Sequence, residues 1–274
     1  MARTITKDTQ LCMSLAGRPG NFGTRFHNFL YEELDLDFIY KAFTTNDLRA
    51  AIGGVRALGI RGCAVSMPFK EACIAWVDEL DPSAAVIQSV NTVVNTAGWL
   101  RAYNTDYLAV VSLLTSHEVP PDARFALRGS GGMAKAVAAA LRDAGFRQGV
   151  ILARNQVAGE ALAHSCGYRW QAELGPLRPE VLINATPLGM AGGEEAAALA
   201  FPPEVVAGAD TVFDVVALPA ETPLIRLARE QGRRVITGAE VIALQAAEQF
   251  VLYTGVRPSA EQVRRAAAFA TAPG

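Results

Sequence analysis

The glycine loop Gly129-Ser130-Gly131-Gly132 constrains this chain most, because of where it stands. An apolar run, Phe125 to Arg128, precedes it, and a small-residue stretch, Met133 to Ala144, follows. Gly129-x-Gly131-x-x-Ala134 therefore lies between a strand and a helix, in the G-x-G-x-x-G/A form. Glycines at those positions let the backbone turn tightly and approach a pyrophosphate, which rests on the amides opening the helix. A glycine cluster alone says little, since many strand-to-helix turns use glycine for geometry. In this context it predicts a dinucleotide site built from Gly129, Ser130, Gly131, Gly132, Met133 and Ala134.

Strand-like runs continue at Val150 to Ala153, Val181 to Asn184, Val212 to Val216 and Arg234 to Ile236. Helical stretches fall between them, the clearest from Thr222 to Gln231. That alternation predicts a doubly wound parallel sheet with helices on both faces. Pro120-Pro121-Asp122 breaks the rhythm, and an earlier alternation precedes it. Leu11 to Leu15, Phe38 to Phe43 and Cys63 to Val65 read as strands, and Arg25 to Leu34 as a helix. Thr45 reads as the cap of a helix running to about Leu58, with Asp47 in its first turn. Val90 to Val94 and Leu100 to Tyr103 flank Asn95-Thr-Ala-Gly98, a hairpin turn, and Asp106 to Ser116 is helical. After Gly238 only helices follow, Ala239 to Thr254 and Ser259 to Ala270. The expectation is two α/β domains, 1–107 and 108–238, with helices 239–270 packing back on the first and a cleft between the two.

A chain of 274 residues has room for both. Apolar residues make up 51% and charged ones 19%, which fits a soluble globular protein and excludes a disordered one. A net charge of −2 recruits neither nucleic acid nor an anionic membrane. No apolar segment reaches the length of a membrane span. Cys12, Cys63, Cys73 and Cys166 show no C-x-x-C spacing, and the first residues lack an apolar signal core. A reducing cytoplasm is the expected compartment, with Cys63 a small core residue. His27, His117 and His164 have no ligand-like spacing, so no metal is expected.

Arg154 follows the second strand of the glycine-loop domain, where an NAD site usually places an acid roughly twenty residues past the loop. No Asp or Glu lies between Asp143 and Glu160. A planar guanidinium there suits a 2′-phosphate, favouring NADP over NAD, although solvated arginines at strand ends are common. Lys70 closes Val65-Ser66-Met67-Pro68-Phe69-Lys70, just beyond a buried strand, where it can reach a reacting group. Most single lysines do nothing chemical. Asp106, in Asn104-Thr105-Asp106, equally suits a helix cap, and Asn91 a strand-end turn. Their joint arrangement is more informative than any one of them.

Seven segments carry that arrangement in order: Ala64 to Lys70, Ser89-Val-Asn-Thr92, Asn104-Thr-Asp106, Gly129 to Gly132, Asn184-Ala-Thr-Pro-Leu-Gly-Met190, Glu221-Thr-Pro-Leu224, and Gln245-Ala-Ala247 with Phe250. By these the chain resembles the shikimate dehydrogenase family over nearly its full length, and most closely its divergent shikimate dehydrogenase-like branch. The resemblance implies an N-terminal substrate domain and a Rossmann-type NADP domain. It implies that Lys70 and Asp106 are the catalytic pair, exchanging the proton while a hydride passes between nicotinamide and the substrate's C3. It places Asn91 and Gln245 on substrate hydroxyls, and Ser66 where relatives usually have a threonine. Thr186, Leu188 and Met190 then belong to the loop beside the nicotinamide, with Val215 and Gly238 also on the cofactor side. The expected partner is a small polyol acid, the expected assembly a monomer or homodimer.

Two departures concern the substrate carboxylate. Relatives carry Ser-x-Ser-Pro before His-Asn; here Asn21-Phe22-Gly23-Thr24 precedes Arg25-Phe26-His27-Asn28. One hydroxyl is absent at Gly23, and Asn21 offers an amide in place of the other. Ala217 stands where relatives usually place a tyrosine. Each lost hydrogen bond to a charged group costs about 1.5–3 kcal/mol, so the grip on a carboxylate is weakened or rebuilt, with Asn21, Thr24 or Arg25 as replacements. Arg25 also reads as an ordinary exposed residue of the first helix. Altered activity on shikimate, or preference for a relative such as quinate, is expected. Two other readings compete: a folate-pathway dehydrogenase using a lysine, which Asn91 and Asn104-Thr-Asp106 argue against, and a non-catalytic NADP(H)-binding sensor, which has less need of Lys70 and Asp106.

Overall fold

The computed structural model describes residues 4–272. The chain divides into two compact units, Met1–Thr105 with Ala243–Gly274, and Asp106–Ile242.

The first unit begins with β1 (Gln10–Leu15), α1 (Phe22–Glu33), β2 (Phe38–Phe43), α2 (Leu48–Ala57) and β3 (Gly62–Val65). A 3-10 turn, Ala72–Trp76, leads to β4 (Glu79–Leu80), α3 (Pro82–Ala85), β5 (Thr92–Thr96) and β6 (Trp99–Tyr103). The sheet order is β2-β1-β3-β5-β6-β4, with β1 parallel to both neighbours and β5 antiparallel to β3 and β6. Both faces of β1 are covered, which explains why its run is largely apolar without a strict alternation. Met13 and Leu15 pack with Ile52, Val55 and Val93, while Cys12 packs with Phe26, Leu30 and Tyr40.

The first residue of α4 (Thr105–Ser116) closes the first unit and the rest of the helix opens the second. There follow β7 (Phe125–Arg128), α5 (Gly132–Asp143), β8 (Gly149–Leu152), α6 (Gln156–Cys166) and β9 (Arg169–Gln171). It continues with β10 (Val181–Asn184), α7 (Pro203–Ala207), β11 (Thr211–Asp214), α8 (Pro223–Glu230) and β12 (Arg234–Thr237). All neighbouring strands are parallel in the order β12-β11-β10-β7-β8-β9. Read from β9, this is the 3-2-1-4-5-6 order of dinucleotide-binding sheets, with the switch point between β7 and β10.

The chain re-enters the first unit within α9 (Gly238–Thr254) and ends in α10 (Ala260–Thr271). Ala246, Ala247, Phe250 and Tyr253 of α9 join Ala266 and Ala270 of α10 in the core beneath α1. The Tyr253 ring lies so close to β3 that a Cβ on Gly62 would sit 2.2 Å from it. Ser259 and Gln262 form a reciprocal capping box at the start of α10.

Local corrections have local causes. Asp47, not Thr45, caps α2: its carboxylate accepts from Ala50 N at 2.9 Å, and Thr45 Oγ1 accepts from Asp47 N. The β5–β6 hairpin is tighter than read, turning on Ala97 and Gly98, both with positive φ, while Asn95 and Thr96 remain in the strand. Two- and three-residue strands such as β4 and β9 are too short to show a period.

Candidate functional site

In the first unit, backbone pairing gathers the loops at one end of the sheet. Val65 N donates to Asn91 O at 2.8 Å, Asn91 N to Tyr103 O at 3.0 Å, and Val90 N to Lys70 O at 2.9 Å. The segments carrying Ser66, Lys70, Asn91 and Thr105 are thus hydrogen-bonded neighbours, although up to forty positions separate them along the chain. Asn104 is a scaffold residue: its Nδ2 donates to Ser89 O at 2.9 Å and its backbone N to Ser83 Oγ at 3.1 Å. Asn91 Oδ1 accepts from Thr105 N at 2.8 Å, satisfying an amide that opens α4. Asp106, 8% exposed, occupies the first turn of α4, where the helix dipole favours a carboxylate. Gln245 joins the cluster from α9, with Thr105 Oγ1 donating to its Oε1 at 3.4 Å. Ser66 is exposed and Lys70 partly so.

In the second unit, Gly129 has φ +127°, and a Cβ there would meet Ala185 O at 2.7 Å. Only glycine fits that turn. Gly131 caps α5 without any side-chain hydrogen bond, leaving the first amides of the helix unclaimed by a cap. A Cβ on Gly131 would meet nothing within 4 Å, so packing does not require this glycine. That combination suits backbone approach to a pyrophosphate. Ser130, Gly132 and Met133 are partly exposed around it and Ala134 is buried in α5. Arg154 lies beyond β8, its side chain 81% exposed and 3.8 Å from Glu195, too loose a pair to hold it.

A buried carboxyl organises the neighbouring strand ends. Asp214 accepts from Thr222 Oγ1 at 2.7 Å, Asn184 Nδ2 at 3.0 Å and Val216 N at 3.1 Å. Burial pushes its pKa up to about 6, against those three donors. Asn184 in turn binds the loop after β10, accepting from Thr186 N and Oγ1 and donating to Leu188 O. Met190, at the far end of that loop, is exposed. Gly238 packs its Cα against the Val215–Val216 backbone; a Cβ would lie 2.3 Å from Val216 C and O. The sequence carries no signal for the roles of Asp214 and Gln249, because Asn184 and Asn91, which they bind, lie 30 and 158 positions away.

Among the described residues, no group of three or more His, Cys, Asp or Glu side chains is placed to hold a metal ion. His27 stacks on Tyr40 with ring centroids 4.4 Å apart, and burial pushes its pKa down to about 3, so it is a neutral core group.

Residues 22–93 match the shikimate dehydrogenase substrate binding domain. A shikimate dehydrogenase-like protein of Haemophilus influenzae is 57% identical over 266 residues, covering 97% of this chain and 98% of that protein. The chain belongs to the shikimate dehydrogenase family. A solved shikimate 5-dehydrogenase-like protein matches with a TM-score of 0.95 at 56% identity, covering 98% of this chain and 100% of the other. Shikimate 5-dehydrogenase from Thermus thermophilus, in complex with NADP(H) and shikimate, matches with a TM-score of 0.85 at 32% identity, covering 95% and 100%.

The N-terminal positions expected near the substrate carboxylate lie at the start of α1. Asn21 caps α1 by position only, with no side-chain bond, and is exposed. A Cβ on Gly23 would lie 3.3 Å from Tyr40 Oη, so a serine there would require Tyr40 to yield by a few tenths of an ångström. Arg25 lies over the Phe269 ring at 4.7 Å and donates to Ala272 O. It ties α1 to the end of α10. No helix among the described residues is long and apolar enough to cross a membrane.

Proposed function

We propose that this protein is an NADP-dependent oxidoreductase that moves a hydride reversibly at C3 of a shikimate-like polyol acid, with altered activity on shikimate itself. The observation that carries the reading is the Asn91–Thr105–Gln245 cluster, joined by hydrogen bonds directly before Asp106 and bordered by the Lys70 segment. Family membership supplies the reaction type. Arg154 and the glycine turn at Gly129 support a phosphate-bearing dinucleotide.

NADP, when bound, accepts the hydride from an alcohol carbon or returns it to a ketone. The remaining half of that two-electron exchange is one proton on the substrate oxygen. Lys70 and Asp106 exchange it as a unit, taking it as the alcohol becomes a ketone and returning it in reverse. Asn91 and Gln245 orient the neighbouring hydroxyls. Gly23 and Ala217 leave the carboxylate with fewer partners than relatives give it, so shikimate binds less well than a substrate matched to Asn21. Four buried free cysteines suit a reducing cytoplasm.

Purified protein with NADP and shikimate or quinate should show reduced cofactor appearing by absorbance. Lys70→Ala should lower that turnover by roughly 10²–10⁴-fold, the range for a lost acid–base group, and leave NADPH binding unchanged. Turnover that survives the substitution removes Lys70 from the mechanism. NADPH binding with no polyol acid turned over points instead to a metabolite sensor on the same fold.

A further inference from the structure

Asn91 is 3% exposed, and one end of its carboxamide is fully committed. Thr105 N and Thr92 Oγ1 each donate to Asn91 Oδ1 at 2.8 Å. A backbone N–H can only donate, so the Thr105 amide determines which end of the side chain is oxygen. The other end, Nδ2, donates to Thr105 Oγ1 at 3.0 Å. An amide nitrogen carries two hydrogens, and this bond uses one of them. Asn91 therefore has a donor to offer a substrate and no acceptor.

Gln249 keeps Thr92 in that arrangement. Its Nε2 donates to Thr92 Oγ1 at 3.0 Å and to Asn91 O at 3.3 Å, and the side chain is 4% exposed. A hydroxyl that accepts from Gln249 turns its own hydrogen elsewhere, and Asn91 Oδ1 receives it. Thr105 Oγ1 stands 3.2 Å from Asn91 Oδ1 and 3.4 Å from Gln245 Oε1; with two closer donors already on Asn91 Oδ1, its one hydrogen goes to Gln245. The bonds run head to tail, from the Gln249 amide through Thr92 to the Asn91 carbonyl, and from the Asn91 amide through Thr105 to Gln245. Gln249 and Gln245 are one helical turn apart on α9, so the series closes on the helix where it began. Buried chains of this kind strengthen one another.

We propose that Gln249 is a positioning residue for the reaction: by orienting Thr92, it holds the Asn91 carboxamide so that the site selects a substrate oxygen able to accept a hydrogen bond. This deepens, and rests on, the dehydrogenase reading above. The same carboxamide binds the Thr105 amide, so the start of the helix bearing Asp106 depends on Gln249 too.

The test uses the full chain with Gln249→Leu, Thr92→Val and Thr92→Ser. Three quantities are measured: kcat/KM for the polyol acid turned over, NADPH affinity, and hydrogen exchange at the Thr105 amide. Gln249→Leu and Thr92→Val should lower kcat/KM by roughly ten- to a hundredfold, the scale of a small misplacement of reacting groups. Both should speed Thr105 exchange and leave NADPH affinity alone. Thr92→Ser keeps the hydroxyl and should behave as wild type. Unchanged kcat/KM in both Gln249→Leu and Thr92→Val overturns the proposal, as does a Thr92→Ser variant as impaired as Thr92→Val. Should Gln249→Leu fail to fold, the two Thr92 variants decide alone. A wild type that turns over no polyol acid overturns the enzymatic reading and the positioning role with it, while Thr105 exchange still reports separately on the hydrogen-bond series.

Discussion

Asp214 shows what one buried group does at the residue scale. Its carboxyl has no exposure to water, and its pKa is raised from 3.8 to about 6 because burial disfavours the charge. Between those values the folded chain keeps a proton that the unfolded chain has released. The contribution to stability is therefore greatest below 3.8, declines as pH rises through about 6, and is constant above it. Ionised Asp214 costs up to roughly 3 kcal/mol by this linkage. Asp214→Asn resembles the protonated form, since its new N–H can donate to Thr222 Oγ1 where the carboxylate accepted. Denaturant melts should find the variant close to wild type near pH 4 and more stable at pH 7; a gap independent of pH contradicts the assignment. Taking the difference between the two proteins cancels the opposite trend from Asp78, Asp143 and Glu180, whose arginine hydrogen bonds hold them below the usual carboxylate range. Arg154 is the other residue with a clear test. Being exposed and loosely paired, Arg154→Ala should cost no stability, and titration should show NADP binding weakened more than NAD binding. Equal losses would remove the 2′-phosphate role.

At the scale of elements, the turn between β7 and α5 separates two uses of glycine that look identical in sequence. Gly129 is imposed by the fold, because its φ and the nearby Ala185 carbonyl exclude a side chain. Gly131 has open space around its missing Cβ and ordinary φ. Gly129→Ala should lower the melting temperature by several degrees, as a strain of about 1–3 kcal/mol implies. Gly131→Ala should melt as wild type does but bind NADPH poorly, since its methyl would stand where the backbone approaches pyrophosphate. A Gly131→Ala protein with full NADPH affinity would remove that glycine from the site. The sequence motif marks both positions; only the surroundings of each Cβ distinguish structural from binding need. Elements were legible where they were long or strongly apolar, as at β7, β10 and β11. They were not where a helix cap depended on backbone dihedrals, as at Asp47.

At the scale of the molecule, the two units differ in continuity. The second is one uninterrupted segment, 106–242, while the first needs residues from both ends of the chain. Phe250 and Tyr253 are fully buried against α1 and β1 partners such as Phe26 and Cys12, and Ala266 fills the same core from α10. A fragment of residues 106–242 should therefore fold alone and melt cooperatively by circular dichroism, whereas 1–105 should not unless 243–274 is supplied. Burial of those aromatic side chains alone contributes on the order of 2–3 kcal/mol each, which a truncated core forfeits. Cooperative melting of 1–105 by itself would show that the C-terminal helices are dispensable.

By itself the sequence determined the alternation of strand and helix, the glycine turn between β7 and α5, and the ordered motifs holding Lys70, Asn91, Asp106 and Gln245. Those are short-range facts, written in the spacing of apolar residues and in residues that only certain backbone conformations accept. Tertiary structure alone decided that Gln249 supports Asn91 from 158 positions away, that Asp214 ties together the loops after β10 and β11, and that Tyr40 crowds Gly23. Hydrogen bonds and steric contacts of that kind depend on distance in space, and no local pattern records them until the chain has folded.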